Sequence, residues 1–431
     1  MPKQNRTKEE LTLLTRAAQA LPGGSLGNFQ LDEEYAFVVR KGHGSRIWDV
    51  SGNEYVDYLL GSGPAVLGHA HPAVVSAVQE ALAKGSTFFT QNEYAIGLAE
   101  EIIAAVPCAE KVRFTTSGTD ATFQCLRLAR AYRKRDKVLK FEGGYHGTHD
   151  YAMMSTWPSG NNAFPIPEPN SAGIPKVIQE TVIIAPFNDL EKASEIIRHH
   201  HEELAAVILE PLQRTLEPAP GFLAGIRKIT HEYEIPLIFD EVVTGFRLAY
   251  GGAQEYYGVK PDLAALGKIV GGGLPLGAVV GSKELMDVYD PDSASDTHVS
   301  QIGTLNGNPV ASAAGLATLH EIQKNQSYET YHARGKHLKQ TLQRLLDEAE
   351  IPATVSGANI MFDIFFTDQN ITDYRSTTTS NKAMNKIFDR TLLENGIFKP
   401  AGKMYIGMCH DEHDIESTVD AFKLAVDSVR D

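Results

Sequence analysis

Cysteine is scarce in this sequence, with Cys108, Cys125 and Cys409 as the only three among 431 residues. Their positions form no paired spacing, which excludes a disulfide framework and favours a reducing compartment. Long apolar runs are also lacking: none reaches the length of a membrane span, and the polar first ten residues do not resemble a signal peptide. We therefore expect a cytoplasmic protein with no membrane partner.

Basic residues are outnumbered, since 40 lysines and arginines stand against 54 aspartates and glutamates, for a formal net charge of −14. Nucleic-acid binding needs a basic surface, so this balance argues against a nucleic-acid partner. The consecutive histidines His199–His201 would point in different directions from the end of a helix, and we expect no bound metal.

What the sequence does contain is a regular alternation of strands and helices over its middle. From Val112 to Val280, short apolar runs of strand length alternate with helical patterns. This alternation predicts an α/β fold with a mostly parallel central sheet and helices on both faces. We predict a large domain over residues 61–322. A smaller α+β domain would join the N-terminal segment 1–60 to residues 323–431.

The first predicted helix extends from Thr7 to Ala20. Thr7 and Glu10 have the spacing of a capping box, in which each side chain accepts a hydrogen bond from the backbone N–H of the other. Pro22 and the two glycines after it end the helix.

The candidate site centres on two neighbouring strand ends. The apolar run Ile235–Phe239 ends in Asp240 and Glu241, and a second apolar run, from Pro261, leads to Lys268 and a glycine-rich turn. A lysine that can form a Schiff base, beside an acid that can pair with a pyridinium nitrogen, suits a pyridoxal phosphate enzyme. An ordinary salt bridge at a strand end explains the same pattern equally well.

Other functional side chains follow neighbouring strands. Ser117, Gly118 and Thr119 open a helix, where backbone N–H groups and the helix dipole favour a phosphate; simple helix capping is the alternative. Tyr145 can stack on a flat heterocycle or pack in a glycine-rich turn, and Glu210 ends another strand. Because strand C-terminal ends line the ligand crevice of an open α/β sheet, this convergence is a stronger indication than any single residue.

The order and spacing of these motifs resemble the class III (ω-type) pyridoxal phosphate aminotransferases of fold type I. Within them the chain is most similar to the glutamate-1-semialdehyde aminomutase branch. The resemblance extends from about residue 45 to residue 320. It is carried by Leu67–Pro72, Ser117–Thr122, Gly144–Gly147, Asp240–Arg247, Leu266–Lys268 with the glycines that follow, and Gly303–Pro309.

That resemblance implies roles around the ring of the cofactor, pyridoxal 5′-phosphate. Lys268 would be the Schiff-base lysine, and Asp240 would pair with the pyridinium nitrogen. Val242 and Tyr145 would enclose the ring between them. Lys268 and Asp240 are therefore the predicted catalytic residues.

The resemblance also implies how the phosphate is held. Gly118 and Thr119 would bind it from one subunit, and Thr304 would reach it from the neighbouring subunit of a homodimer with shared active sites. The complete predicted cofactor-binding set is Ser117, Gly118, Thr119, Tyr145, His146, Glu210, Asp240, Val242, Lys268 and Thr304.

Departures from the aminomutase branch decide which reaction the sequence predicts. That branch carries an arginine for a substrate carboxylate just after its N-terminal Pro-Gly-Gly, whereas Pro22–Phe29 contains none. The stretches 212–217 and 399–407 also lack residues that are usual in that branch. We therefore expect an aminotransferase that moves an amino group between an amine or amino acid and a keto acid, in two ping-pong half-reactions through Lys268. The alternatives are a glutamate-1-semialdehyde 2,1-aminomutase-like isomerase and a non-catalytic regulator that binds pyridoxal phosphate.

The missing arginine also predicts a neutral substrate pocket, which would favour simple amines or hydrophobic amino acids. Arg214 and Arg40 are candidates to replace the missing cation if charged donors are preferred, and ordinary surface charge is the alternative for both. The candidate residues for the apolar wall are Leu26, Phe29, Phe88, Phe89 and Trp157, with ordinary core positions as the alternative.

Overall fold

Two units, defined by their internal contacts, make up the chain. The computed structural model describes residues 5–160, 162–292, 296–325, 328–399 and 401–430. The small unit comprises residues 1–71, 329–369 and 379–431, and the large unit comprises residues 72–328 and 370–378. The division falls after residues 71 and 328, where the sequence predicted 60 and 322, and the segment 370–378 belongs with the large unit.

Helices and strands alternate over most of the described residues. The helices are α1 (Lys8–Ala20), α2 (Pro72–Lys84), α3 (Glu93–Ala105), α4 (Gly118–Arg133), α5 (Lys176–Gln179), α6 (Leu190–His200), α7 (Phe222–Glu232), α8 (Gly252–Tyr257), α9 (Lys283–Met286), α10 (Pro309–Asn325), α11 (Tyr328–Glu348), α12 (Tyr374–Thr377), α13 (Lys382–Glu394) and α14 (Glu412–Arg430). Short 3-10 turns lie at Pro22–Gly24, Lys268–Gly271 and Asp287–Tyr289. Of the helices in the described ranges, none is both long enough and apolar enough to cross a membrane.

The strands form three sheets. They are β1 (Val39–His43), β2 (Arg46–Asp49), β3 (Glu54–Asp57), β4 (Lys111–Thr115), β5 (Lys137–Phe141), β6 (Val182–Ala185), β7 (Leu204–Leu209), β8 (Leu237–Glu241), β9 (Leu263–Leu266), β10 (Gly277–Gly281), β11 (Thr354–Ala358), β12 (Met361–Phe365), β13 (Ile397–Phe398) and β14 (Met404–Tyr405).

The seven-stranded sheet of the large unit has the order β4-β10-β9-β8-β7-β5-β6. Its strands from β9 to β6 are parallel, whereas β10 runs antiparallel to both of its neighbours. Every residue of β7 is buried and apolar, as expected for a parallel strand covered on both faces. The predicted mostly parallel sheet is confirmed, with β10 as the exception.

The register of this sheet brings the predicted site residues to one edge. Leu209 pairs with Phe239, and Asp240 pairs with Ala265. Glu210, Asp240 and Lys268 therefore leave the C-terminal ends of three adjacent parallel strands, β7, β8 and β9.

Helix α4 begins at the predicted phosphate site and packs one face into the core. It begins where the Ser117 hydroxyl accepts a hydrogen bond from the Asp120 N–H at 3.1 Å, and it ends at Lys134 in the left-handed conformation. Its face with Ala121, Cys125 and Leu128 is fully buried in the core of the large unit. This packing fixes the helix relative to the strands.

The small unit contains the other two sheets, with the orders β1-β2-β3-β13 and β11-β12-β14. Strand β13 runs parallel to β3, with Ile397 opposite Val56 and Phe398 opposite Asp57. The N-terminal and C-terminal parts of the chain therefore share one sheet, which agrees with the predicted α+β domain built from both termini.

The start of α1 differs from the predicted capping box. The Thr7 hydroxyl does accept from the Glu10 N–H, at 3.4 Å. The Glu10 carboxylate, however, accepts from the Val38 N–H at 2.8 Å and bonds the Ser51 hydroxyl, while the Thr7 N–H donates to Ser51 at 2.8 Å. The buried Glu10 therefore joins the helix to residues 38 and 51 of the same chain. The predicted hydrogen bond from the Thr7 N–H to the Glu10 side chain is wrong.

Candidate active site

Asp240 lies buried at the end of β8, where two donors hold its carboxylate. Its Oδ2 is 2.8 Å from His146 Nδ1, and its Oδ1 accepts from the Val242 N–H at 3.1 Å. Burial lowers the pKa of His146 to about 3, so the imidazole is neutral and its Nδ1–H is the group that donates to Asp240. Of the predicted set, Asp240, His146 and Val242 are thus brought together.

The neighbouring acid, Glu241, has a different task. Its carboxylate accepts from the backbone N–H groups of Ala253 and Gln254, at 2.6 and 3.3 Å, and from the Thr244 hydroxyl at 2.9 Å. Glu241 therefore fixes the start of α8, and only the first of the two adjacent acids faces the predicted site. Burial raises the pKa of Glu241, which these donors partly offset.

Glu210 positions the loop that carries Tyr145. The Glu210 carboxylate accepts from the Tyr145 N–H at 2.6 Å and from the Arg214 N–H at 3.3 Å. The half-buried Tyr145 ring lies with its centre 5.9 Å from that of Trp157, at an angle of 46° between the planes. The Tyr145 ring thus lies at the strand ends, while Glu210 holds the backbone of Tyr145 and Arg214 by accepting from their N–H groups.

The start of α4 is packed too closely for larger side chains. A Cβ atom on Gly118 would lie 2.6 Å from Val242 Cγ1, and one on Gly147 would lie 2.6 Å from Thr119 Oγ1. Only glycine fits at these two positions. The first N–H groups of a helix have no acceptor within the helix, so this crowded helix start offers donors to a phosphate.

Lys268 follows β9 through Gly267 and has a φ of 53°. A Cβ atom on Gly267 would lie 3.1 Å from Val242 Cγ1, which puts the lysine backbone beside Val242. The left-handed region is unfavourable for a residue with a Cβ atom, and such residues cluster at functional positions. Lys268 is partly exposed and is not sealed within the core.

Thr304 lies apart from the other predicted residues. It is exposed on the loop 303–308, where the Asn306 N–H donates to the Gly303 carbonyl at 3.1 Å. Among the residues that the structure describes, no hydrogen bond joins Thr304 to the rest of the predicted set. The five residues suggested for an apolar wall, Leu26, Phe29, Phe88, Phe89 and Trp157, are all exposed.

The sequence analysis missed Lys140, a fully buried lysine in β5. Its ammonium nitrogen donates to three carbonyls and a hydroxyl, those of Gly144 (3.0 Å), Ala152 (2.6 Å), Met154 (2.7 Å) and Thr156 (3.0 Å). These acceptors fold the loop that carries Tyr145 and His146. The available signal was a lysine inside the apolar strand run 138–141.

The sequence analysis also missed the pair of Glu142 and Arg375. The guanidinium donates to both carboxylate oxygens, from Nε at 2.8 Å and from Nη2 at 3.0 Å. Next to it, a Cβ atom on Gly143 would lie 2.6 Å from Tyr374 Cβ. This pair holds the segment 370–378 in the large unit, and the sequence offered no signal for it.

These residues fit the pyridoxal phosphate that the resemblance implies. A buried carboxylate suits a protonated ring nitrogen, the crowded helix start suits a phosphate, and the Tyr145 ring suits a flat heterocycle. Nε2 of His146 is buried and has no hydrogen-bond partner in the described part of the chain, which is consistent with a further polar group beside Asp240.

Comparison with known proteins identifies the family. The family described as aminotransferase class-III matches residues 30–426. The chain is 41% identical to the glutamate-1-semialdehyde 2,1-aminomutase of Methanocaldococcus jannaschii over 98% of each chain. It is 40% identical to the aminomutase of the same name from Desulforamulus reducens over 95% of each. Among solved structures, an omega-transaminase from Sphaerobacter thermophilus is 36% identical, with a TM-score of 0.93 over 98% of each chain.

The predicted aminotransferase activity is wrong on this comparison. The two curated relatives are isomerases, and they are more similar in sequence to the chain than the transaminase is. The fold type I architecture and the cofactor pyridoxal 5′-phosphate are confirmed. Since the family match and the full-length relatives agree, the chain is an enzyme of the pyridoxal phosphate-dependent class III aminotransferase family.

Proposed function

We propose that this enzyme is an aminomutase, which isomerises glutamate-1-semialdehyde by moving its amino group from carbon 2 to carbon 1. The observation that carries the proposal is the identity of 40–41% to curated 2,1-aminomutases over 95–98% of the chain. We retain a cytoplasmic location as part of the proposal, on the basis of the three unpaired cysteines.

The proposed reaction has no net exchange with a second substrate. The bond from carbon 2 to nitrogen breaks and a bond from carbon 1 to nitrogen forms, while carbon 2 becomes a ketone and the aldehyde carbon becomes a methylene. The hydrogen lost at carbon 2 is balanced by one gained at carbon 1. The oxygen of the aldehyde leaves as water, and a second water supplies the oxygen of the ketone, so that substrate and product are isomers. Bound pyridoxal phosphate supplies the electron sink and carries the amino group.

In the proposed mechanism, Lys268 anchors the cofactor and moves the proton. Its Nζ would remove the proton from substrate carbon 2 and deliver one to carbon 1, as a general base and then a general acid. A left-handed residue between Gly267 and a glycine-rich turn supports this role, because the small neighbours leave room for the side chain to change position.

Asp240 and His146 would keep the electron sink in its protonated form. The neutral His146 donates to Asp240 and fixes the orientation of its carboxylate, at 2.8 Å. A buried carboxylate held in this way stabilises a positive charge on a ring nitrogen more strongly than an exposed one. Val242 and Tyr145 would bound the two faces of that ring.

The phosphate would bind at the start of α4, to Ser117, Gly118 and Thr119, with Thr304 contributed by a second copy of the chain. Two observations support a dimer. Exposed apolar side chains cluster on α2, on α3 and on the loops beside them, namely Leu82, Phe88, Phe89, Ile96, Ile302 and Leu305. Asn92, at the start of α3, donates to the Gly307 carbonyl at 2.8 Å, which joins that face to the loop with Thr304.

The dimer is tested by light scattering, which should give twice the mass of the chain. The variant Thr304→Val should stay dimeric but lose cofactor faster on dialysis. A monomer with full activity would contradict the shared site.

The reaction is tested with glutamate-1-semialdehyde that carries ¹⁵N in its amino group, with and without added pyruvate or 2-oxoglutarate. We expect 5-amino-4-oxopentanoate as the product in equal amounts in both arms, with the ¹⁵N retained in it. Transfer of the label to alanine or glutamate, in proportion to the keto acid added, would overturn the proposal.

A further inference from the structure

The substrate of the proposed function carries a carboxylate, which needs a cation when it leaves water. Besides Lys268, the cations near the strand ends include Lys140, Arg375 and Arg214. Lys140 is fully buried and already donates to four oxygens. Arg375 is engaged by both oxygens of Glu142. Neither of these two has its charge available to a ligand.

Arg214 has a different environment. Its guanidinium carbon lies 5.2 Å from the centre of the Tyr145 ring and 5.5 Å from that of Trp157, so both rings face the charge. Nε donates to the Gly143 carbonyl at 3.1 Å. Nη2 is buried and has no hydrogen-bond partner among the residues of the described ranges.

The nearest carboxylate does not occupy the outer edge of this guanidinium. Glu210 Oε1 lies 3.9 Å from Nε of Arg214, beyond hydrogen-bonding distance. The two oxygens of Glu210 accept instead from the backbone N–H groups of Tyr145 and Arg214. The planar edge with the two Nη atoms is therefore the part of Arg214 that can bind a carboxylate with two parallel hydrogen bonds.

The backbone of Arg214 also indicates a function for its side chain. Its φ is 59°, in the left-handed region that glycine adopts without strain. A side chain held at an unfavourable backbone position points to a role of that side chain. The rings of Tyr145 and Trp157 both lie against the guanidinium, which limits its freedom to move before an anion binds.

We propose that Arg214 binds the carboxylate of the substrate and makes the enzyme selective for amino aldehydes with an acidic far end. The identity of the substrate rests on the proposed function; the preference for a carboxylate rests on the geometry of Arg214. Trp157, which the sequence suggested for a neutral wall, supports the cation in this arrangement.

The test compares two ligands that share the carbon chain of the substrate and differ in charge, 4-oxopentanoate and its neutral amide, 4-oxopentanamide. Their binding to the holoenzyme is measured by isothermal titration calorimetry. The variant Arg214→Gln should bind the acid about tenfold to a hundredfold more weakly and the amide equally well. Arg214→Lys keeps the charge without the planar fork and should lie between the two. Arg40→Gln, at an arginine bonded to Glu9, is the matched control and should change neither.

The outcomes separate this proposal from the proposed reaction. Equal binding of acid and amide by the natural enzyme, or unchanged binding of the acid by Arg214→Gln, would overturn the role of Arg214 even if isomerisation occurs. If the natural enzyme does not isomerise the semialdehyde but the variant loses acid binding, the reaction is wrong and the carboxylate site stands. Should Arg214→Gln fail to fold, full acid affinity in Arg214→Lys would refute the two-bond geometry.

Discussion

Two fully buried lysines, one in each unit, have surroundings of opposite character. Lys140, in the large unit, donates to neutral oxygens. Lys399, in the small unit, lies 3.1 Å from Asp363 and 2.8 Å from Asp389. Burial lowers the pKa of Lys140 to about 7. Burial also opposes the charge of Lys399, but the two carboxylates outweigh it and raise the pKa of that lysine.

The difference shows that partners, rather than burial alone, decide the state of an interior lysine. Lys399 joins β12, which carries Asp363, to α13, which carries Asp389, and so helps to hold the small unit together. Lys140 instead shapes a loop, because its acceptors come from the chain around Tyr145 and His146. Lys399 is thus held by ion pairs, whereas Lys140 is held by hydrogen bonds to neutral oxygens.

The largest effect, a loss of activity, is expected at a third lysine, Lys268. This lysine is partly exposed, unlike the two buried ones. Lys268→Ala should lose activity by about a thousandfold or more, because both the covalent anchor and the proton carrier are removed. Borohydride reduction followed by peptide mapping should label Lys268 in the natural enzyme. The exposed Lys283→Ala is the control and should keep its activity. A label on any other lysine would contradict the assignment.

The fold and the positions of Asp240 and Lys268 could be predicted because they depend on local pattern. Apolar runs followed by a carboxylate or a lysine mark strand ends, and parallel strands bring those ends to one edge. The partners of these residues could not be predicted, since they are distant in sequence. His146 and Asp240 are 94 positions apart, and Glu142 and Arg375 are 233 positions apart.

The activity prediction was wrong because it relied on residues that three segments lack, above all an arginine within Pro22–Phe29. The absence of a residue from one segment does not exclude the same chemistry from another segment. Glu10 gives a local example of the same limit: its spacing from Thr7 suits a capping box, but tertiary contacts with Val38 and Ser51 take its carboxylate instead.

The next largest effect is expected at Lys399. Lys399→Met leaves two largely buried carboxylates without the ammonium group that pairs with both, which should lower the free energy of unfolding at pH 7 by about 3–5 kcal/mol. Urea unfolding at a fixed protein concentration measures the change. Lys386→Met is the control: that lysine is exposed and its pair with Asp32, at 3.2 Å, should contribute less than about 1 kcal/mol.

The pH dependence of the free energy of unfolding tests whether lost ion pairs cause the instability of Lys399→Met. Removing the cation should raise the pKa of Asp363 and Asp389 further above the ordinary value, so that the folded variant takes up protons that the unfolded chain does not. The stability lost in Lys399→Met should therefore shrink as the pH falls below neutral. The double variant Asp389→Asn, Lys399→Met should also recover part of the loss. A deficit that is constant from pH 7 to pH 5 would contradict the ion-pair explanation.

The smallest effect at pH 7 is expected at Lys140, although it loses four hydrogen bonds. Lys140→Met leaves carbonyls without a donor, but it also removes a buried ammonium group that has no ion-pair partner among the described residues. The net loss should therefore be about 1–2 kcal/mol. The folded pKa of about 7 lies below the ordinary value of 10.5, so between these values the unfolded chain holds a proton that the folded chain has released. The contribution of Lys140 to stability therefore rises with pH across that window and is lowest below it.

The loss of stability in Lys140→Met, measured by urea unfolding, should grow from pH 7 to pH 10, whereas the loss in Lys399→Met should stay level. Lys137→Met, on the same strand and paired with Glu203, is the control and should show no such growth. If the Lys140→Met deficit stayed level as well, Lys140 would be charged throughout the window, and the two buried lysines would not differ in state.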